Sequence, residues 1–163
     1  DVLGSRGLGD VYKRQIIENA GGGVLVSCMY FPNTHLIPGT VAGMEGNHQN
    51  AGISVKNNQI SISSVSQING NIWRGYGIEV QGAWVSDSSK AQAKGIPVGI
   101  YKENGVAVKG NMITGTGNGI RLYLADGCTV EDNQLKLQKT ASFSNMGIYL
   151  SASSKNVIKE LTE

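Results

Sequence analysis

The chain has 163 residues, of which 40% are hydrophobic and 16% charged, with 23 Gly and only 3 Pro. This length is enough for one domain with a buried core. A formal net charge of +2 gives no electrostatic case for nucleic-acid binding, and no apolar run is long enough to span a membrane. The many glycines and the short Val and Ile runs predict short strands joined by tight turns.

The first fifteen residues resemble something other than natural protein. Residues 5–15 (SRGLGDVYKRQ) resemble the in-frame translation of a transposase sequencing adapter, and residues 1–4 are expected to continue it. Such a segment is excluded from reasoning about the fold. We therefore divide the chain into a non-native segment, residues 1–15, and one domain fragment, residues 16–163. The adapter is typical of a metagenomic fragment, and we expect the N-terminal part of the domain to be missing.

The next stretch combines short apolar segments with long polar loops. Residues 16–20 predict the end of a strand, residues 21–23 a turn, and residues 24–26 a buried strand. The region of residues 32–50 predicts loops, and we interpret its isolated His35 and His48 as loop residues. Cys28 and Cys128 fit neither a disulfide framework nor a zinc spacing, and we interpret both as buried thiols.

Two phrases repeat from Gly52 onward. The first is Gly, apolar, small, Val, charged, any, Asn, long, apolar. It occupies residues 52–60 (GISVKNNQI), 105–113 (GVAVKGNMI) and 127–135 (GCTVEDNQL), with a degenerate copy at Gly82 (GAWV). The second phrase, Gly-Ile followed by two residues, starts at Gly77, Gly99, Gly119 and Gly147. Self-similarity at this period indicates a solenoid.

Strand alternation predicts which repeated residues stack on one another. Parallel stacking places like residues about 4.8 Å apart along the axis. Three stacks are expected: an inner one of Ile78, Ile100, Ile120 and Ile148, a second inner one of Val55, Val85, Val108 and Val130, and a corner amide ladder of Asn58, Asn111 and Asn133.

These phrases resemble the repeats of right-handed parallel β-helix proteins of the pectate-lyase-like superfamily, over roughly residues 52–161. The resemblance implies an all-β, single-stranded right-handed parallel β-helix of about five coils, truncated at its N-terminus. Pectin and pectate lyases, polygalacturonases, alginate epimerases, phage tailspikes and adhesins share this architecture. The resemblance therefore predicts the fold and leaves several activities open.

The x position of the Gly-Ile-x phrase supplies the candidate site. It holds Glu79, Tyr101, Arg121 and Tyr149, which we expect to form one row on an exposed face. Aromatic rings stack on pyranose rings, and charged groups bind hydroxyls or uronate carboxylates, so these residues and Trp84 are the predicted substrate-binding set. Alternatively, these long side chains cover the strand edges and form cross-strand pairs without binding a ligand. We expect Glu79 and Arg121 to lie two coils apart, about 10 Å, too far for a direct pair.

No catalytic signature accompanies this row, so the catalytic residues are unknown. Asp126, Glu131 and Asp132 form an acidic group that we interpret as solvated corner charges. We identify no pair of carboxylates at equivalent positions of adjacent coils, which a glycosidase would need. No metal ligands and no cofactor are evident, and Ca²⁺ is implied only by analogy with lyases of the resembled superfamily.

Three functions are therefore considered. The favoured hypothesis is a carbohydrate-binding β-helix domain of a secreted or virion surface protein of the tailspike or adhesin type. The first alternative is a polysaccharide lyase, hydrolase or epimerase acting on an acidic polysaccharide, and the second is a structural spacer without a site. The expected partner is a polysaccharide or surface glycan, with no nucleic acid and no membrane span. The expected location is extracellular or on a cell or virion surface, and the tailspike analogy implies a homotrimer.

Overall fold

The structure is a computed structural model that describes residues 16–27, 52–63, 65–68, 71–85, 98–139 and 145–162. These residues contain eighteen strands, numbered in chain order, and no helix. The predictions for the adapter segment, for both histidines and for Cys28 lie outside the described residues.

Twelve of the strands form three parallel sheets of four strands each. Sheet A contains β1 (Ile16–Ala20), β4 (Gln59–Ile62), β12 (Met112–Gly115) and β16 (Gln134–Leu137). Sheet B contains β2 (Val24–Ser27), β7 (Tyr76–Gln81), β13 (Asn118–Tyr123) and β17 (Ile148–Ser151). Sheet C contains β3 (Ser54–Lys56), β11 (Ala107–Lys109), β15 (Thr129–Glu131) and β18 (Val157–Lys159).

The chain visits these sheets in the order B, C, A and then returns to B one coil further along. A short parallel pair, β10 (Glu103–Asn104) and β14 (Ala125–Asp126), lies between sheets B and C. Three coils are complete in all three sheets. Strand β1 belongs to a preceding coil, and β17 and β18 belong to a following one. The predicted parallel β-helix of about five coils is therefore confirmed.

The interior consists of the stacked aliphatic side chains that the repeats predict. Val55, Val108 and Val130 lie in register across sheet C. Ile78 and Ile120 lie in register across sheet B, and both are fully buried. Each buried aliphatic side chain of this size stabilises the fold by roughly 1.5–3 kcal/mol, so these stacks hold adjacent coils together.

The predicted amide ladder is present at the corner between sheets C and A. Asn58 Nδ2 donates to Asn111 Oδ1, and Asn111 Nδ2 donates to Asn133 Oδ1, both at 2.9 Å. The same oxygens accept the backbone N–H groups of Asn58 and Asn111 at 3.0 Å. All three side chains are buried. The ladder therefore satisfies backbone groups that turn inward where each coil bends.

Two antiparallel ribbons leave the solenoid on either side of β7. The first pairs β5 (Val65–Ile68) with β6 (Asn71–Arg74), and the second pairs β8 (Ala83–Val85) with β9 (Gly99–Tyr101). The predicted placement of Val85 and Ile100 in the inner stacks is therefore wrong. Ile100 lies opposite Trp84 on the second ribbon, and their side chains are 61% and 69% exposed.

The last coil contains a copy of the first phrase that the sequence reading missed. Ile158 pairs with Val130 in sheet C, so residues 155–162 continue the series. The corner position held by Gly127, with φ of 63°, is held here by Lys155, with φ of 56°. Glycine adopts this left-handed conformation at little cost, and its replacement by lysine hides the repeat.

Candidate functional site

The outer face of sheet B carries the candidate site. Because side chains alternate along a strand, the buried aliphatic residues of β7 and β13 leave their neighbours pointing outward. Glu79, Arg121 and Tyr149 occupy successive coils in direct register, with Leu25 opposite Glu79 at the far end. Three of the four residues of the predicted row are therefore brought together.

Glu79 and Arg121 form a direct ion pair, which corrects the predicted separation of about 10 Å. Arg121 Nη1 donates to Glu79 Oε1 at 2.6 Å. The two residues lie on adjacent coils because β13 pairs directly with β7. The segment that was expected to form a coil between them, around Tyr101, is part of the β8–β9 ribbon.

Three tyrosine rings surround the guanidinium group of Arg121. Its Cζ lies 4.7 Å from the ring centroid of Tyr123, 5.6 Å from that of Tyr76 and 5.9 Å from that of Tyr149. The rings of Tyr76 and Tyr149 stack with their centroids 6.5 Å apart. Cations at such distances are attracted by the ring faces, so the tyrosines and the ion pair hold each other in place.

Tyr76 and Tyr123 were missed by the sequence reading. The signal for Tyr123 was available, because it follows Arg121 by two residues in the same strand and must share its face. Tyr76 opens β7, before the Gly-Ile phrase begins, and no repeat marks it. We call these five residues, Glu79, Arg121, Tyr76, Tyr123 and Tyr149, the tyrosine–arginine cluster.

The two opposite charges of the tyrosine–arginine cluster, on Glu79 and Arg121, pair with each other and are largely shielded from solvent. The Arg121 and Glu79 side chains are 26% and 21% exposed. Arg121 Nε is buried and has no hydrogen-bond partner among the described residues. Burial raises the pKa of Tyr76 above that of an ordinary tyrosine, with Arg121 acting in the opposite direction and Glu79 adding to the rise. Its hydroxyl is therefore protonated at neutral pH and can both donate and accept.

One ribbon adjoins each end of β7, beside the tyrosine–arginine cluster. The first ribbon ends at Arg74, two residues before Tyr76. The second ribbon follows Gly82, whose N–H donates to the Tyr123 carbonyl at 2.8 Å. The structure therefore places Trp84 and Tyr101 on the second ribbon and not in the row. Their predicted contact with a substrate stays a prediction.

Asp126 is held by hydrogen bonds to residues of the coils before and after it. It accepts hydrogen bonds from Lys102 Nζ at 2.8 Å, from Ser154 N at 2.7 Å and from Ser154 Oγ at 2.9 Å. Partial burial alone would raise the pKa of Asp126, but these hydrogen bonds outweigh it and lower the pKa. Asp126 thus ties three successive coils together through Lys102 and Ser154.

The other two acidic candidates also lie away from the tyrosine–arginine cluster. Glu131 pairs with Lys109 at 2.6 Å on the outer face of sheet C. Asp132 occupies a corner position equivalent to that of Glu160, one coil further along, since the preceding Glu131 pairs with Lys159. A hydrogen bond and repulsion from Asp132 raise the pKa of Glu160. The expectation of no equivalent carboxylates on adjacent coils is therefore wrong, because the last repeat was not recognised.

Three clefts in the described part of the chain lie elsewhere. One of about 650 Å³ lies between Leu135 and Ile148 at the C-terminal end of the solenoid. One of about 540 Å³ follows the corner from Asn57 to Asp132, and one of about 190 Å³ lies beside Ile16. None of these three clefts is lined by a residue of the tyrosine–arginine cluster.

A solenoid of stacked parallel sheets, with no helix among the described residues, defines the class as a parallel β-helix protein. The chain belongs to the NosD family, described as periplasmic copper-binding protein (NosD), whose family model matches residues 33–162. No curated protein and no solved structure matches the chain significantly. None of the described residues forms a helix long and apolar enough to cross a membrane.

The family description raises the question of copper, and the described residues do not fit a copper centre. Copper sites in proteins use His, Cys and Met ligands. No group of three or more His, Cys, Asp or Glu residues in the described ranges could hold a metal ion. Cys128 is buried, and burial raises the pKa of its thiol, which opposes the deprotonation that metal binding requires.

Proposed function

We propose that this protein is a carbohydrate-binding β-helix domain that holds a polysaccharide or surface glycan on the outer face of sheet B. The observation that carries the proposal is the enclosure of Arg121 by three tyrosine rings, within 6 Å of each. Aromatic faces can stack on the C–H faces of pyranose rings, and fixed polar groups between the rings can bind hydroxyls. The tyrosine–arginine cluster supplies both on one surface.

The rigidity of the scaffold supports this proposal. The strands that carry the tyrosine–arginine cluster are held by the in-register aliphatic stack beneath them, so the rings are fixed before a ligand arrives. Preorganised aromatic side chains lose little conformational entropy on binding, which favours affinity. The spacing of about 4.8 Å between coils is also close to the length of one sugar unit in an extended chain.

The family description supports a location outside the cytoplasm. The NosD family is described as periplasmic, and a periplasmic, secreted or surface location would expose the domain to glycans. We extend the proposal to a surface protein of the tailspike or adhesin type, as the predicted resemblance to the pectate-lyase-like superfamily implies. Trp84, whose side chain is 69% exposed on the second ribbon, is the proposed additional platform for a sugar ring.

Glycan binding by single variants tests the proposal. A glycan array identifies ligands, and isothermal titration with one of them gives Kd for Tyr149→Ala and Arg121→Ala. We expect each variant to weaken binding by at least tenfold, since one aromatic contact or one set of donors is lost. Lys109→Ala, on the outer face of sheet C, is the matched control and should retain the wild-type Kd. Absence of binding on the array, or equal affinity of all three variants, would overturn the proposal.

A further inference from the structure

The charge of the sheet B face is balanced within the tyrosine–arginine cluster. The outward positions of the four strands hold Leu25 and Ser27 on β2, Glu79 and Gln81 on β7, Arg121 and Tyr123 on β13, and Tyr149 and Ser151 on β17. These positions include one acid and one base. The two are joined at 2.6 Å, so the face presents no net charge.

We propose that the ligand of this face is a neutral glycan and that the Glu79–Arg121 pair selects it against uronate-bearing chains. The inference rests on the proposed function and concerns the same site. A carboxylate on the ligand would need Arg121 as its counter-ion, but one side of that guanidinium already donates to Glu79. Glu79 would then repel the incoming carboxylate at close range, and like charges within a few ångströms oppose binding.

The geometry also opposes a rotation of Arg121 away from Glu79. Three tyrosine rings enclose the guanidinium, and its Nε is buried. A rotation that presented the whole group to a ligand would abandon those ring contacts. The pair therefore acts as a fixed dipole whose remaining groups suit hydroxyls, which both donate and accept hydrogen bonds, better than they suit an anion.

Substitution of Glu79 should reverse this selection. Glu79→Gln keeps the size of the side chain and gives the face a net charge of +1. An opposite charge about 4 Å away in water changes affinity by roughly fivefold, with larger effects where solvent is partly excluded. The matched control is Glu131→Gln, because Glu131 forms an ion pair of the same length with Lys109 on sheet C.

Titrations with two sets of hexasaccharides test the inference. Cellohexaose, maltohexaose and laminarihexaose are the neutral probes, and hexagalacturonate and hexamannuronate are the anionic probes. We expect the wild type to bind at least one neutral probe at least tenfold more tightly than either uronate, with a Kd unchanged between low and high salt. In Glu79→Gln, uronate affinity should rise three- to tenfold and become salt-sensitive, while Glu131→Gln matches the wild type.

The outcomes distinguish a failure of the charge selection from a failure of glycan binding itself. If the wild type prefers a uronate chain, or if Glu79→Gln fails to raise uronate affinity while a probe still binds, the charge selection is wrong and glycan binding stands. If no hexasaccharide binds to the wild type or to either variant, glycan binding by this face is refuted, and the inference about charge falls with it.

Discussion

Asn111 is the central member of the amide ladder, and its replacement by alanine tests the account of the fold. The Asn111 side chain accepts hydrogen bonds from the N–H and the Nδ2 of Asn58, and it donates to the Val55 carbonyl and to Asn133 Oδ1. Its own exposure is 1%. Asn111→Ala therefore leaves two buried donors of Asn58 without their acceptor and opens a small cavity.

The expected loss of stability follows from those two donors. A buried donor without a partner costs about 1–3 kcal/mol. Two such donors, together with the cavity, predict a loss of about 3–5 kcal/mol in the free energy of unfolding. That is a large share of the roughly 5–15 kcal/mol that holds a typical domain together, so the variant should approach the limit of folding at 37 °C.

Urea unfolding followed by far-UV circular dichroism measures the change from the shift in midpoint at constant slope. Thr114→Ala, on β12 of the same coil, is the control. Thr114 makes one long hydrogen bond, 3.5 Å to the Ile60 carbonyl, and its removal should cost less than about 1 kcal/mol. If Asn111→Ala loses no more stability than Thr114→Ala, the ladder is not the stabilising element described above.

Three further predictions concern single residues. Gly115→Ala should lower the free energy of unfolding by about 2–4 kcal/mol, because Gly115 has φ of 105° and a Cβ there would lie 2.2 Å from the Ile62 carbonyl oxygen. Gly127→Ala is the control, because a Cβ at Gly127 would meet no atom within 4 Å, and it should lower the free energy of unfolding by about 1 kcal/mol in the same urea assay. The stability difference between wild type and Asp126→Asn should be full above about pH 4 and disappear as the pH falls through the lowered pKa of Asp126; a constant difference down to pH 2 would contradict this. Cys128 should react with a maleimide only on unfolding, since its thiol is buried with a raised pKa; mass spectrometry of a variant with the other cysteine replaced by serine would show rapid native labelling if the reasoning is wrong.

The sequence was sufficient to predict the solenoid, because its signals are local and repeated. The Asn at position seven of the phrase and the Val at position four recur with enough regularity to define a corner and an inner stack. The in-register pairing of Val55, Val108 and Val130 confirms that reading. Periodicity of this kind reflects the direct stacking of each coil on the previous one.

The assignment of segments to coils could not be predicted in the same way. Residues 99–102 match the Gly-Ile phrase as well as true coil strands do, yet Gly99–Tyr101 is a strand of an antiparallel ribbon. A short apolar phrase fits either setting, and only the pairing partners distinguish them. This single misplacement put Tyr101 in the row and moved Glu79 and Arg121 one coil too far apart.

The most direct test of the central claim is to locate a bound glycan on the molecule. Two-dimensional NMR of protein labelled on its tyrosine rings, titrated with the tightest neutral hexasaccharide, reports contact at each ring. We predict shifts at Tyr76, Tyr123 and Tyr149 that saturate together. Shifts at Tyr101 alone, or saturable binding with no shift at the three rings, would contradict the assignment of the sheet B face as the glycan-binding surface.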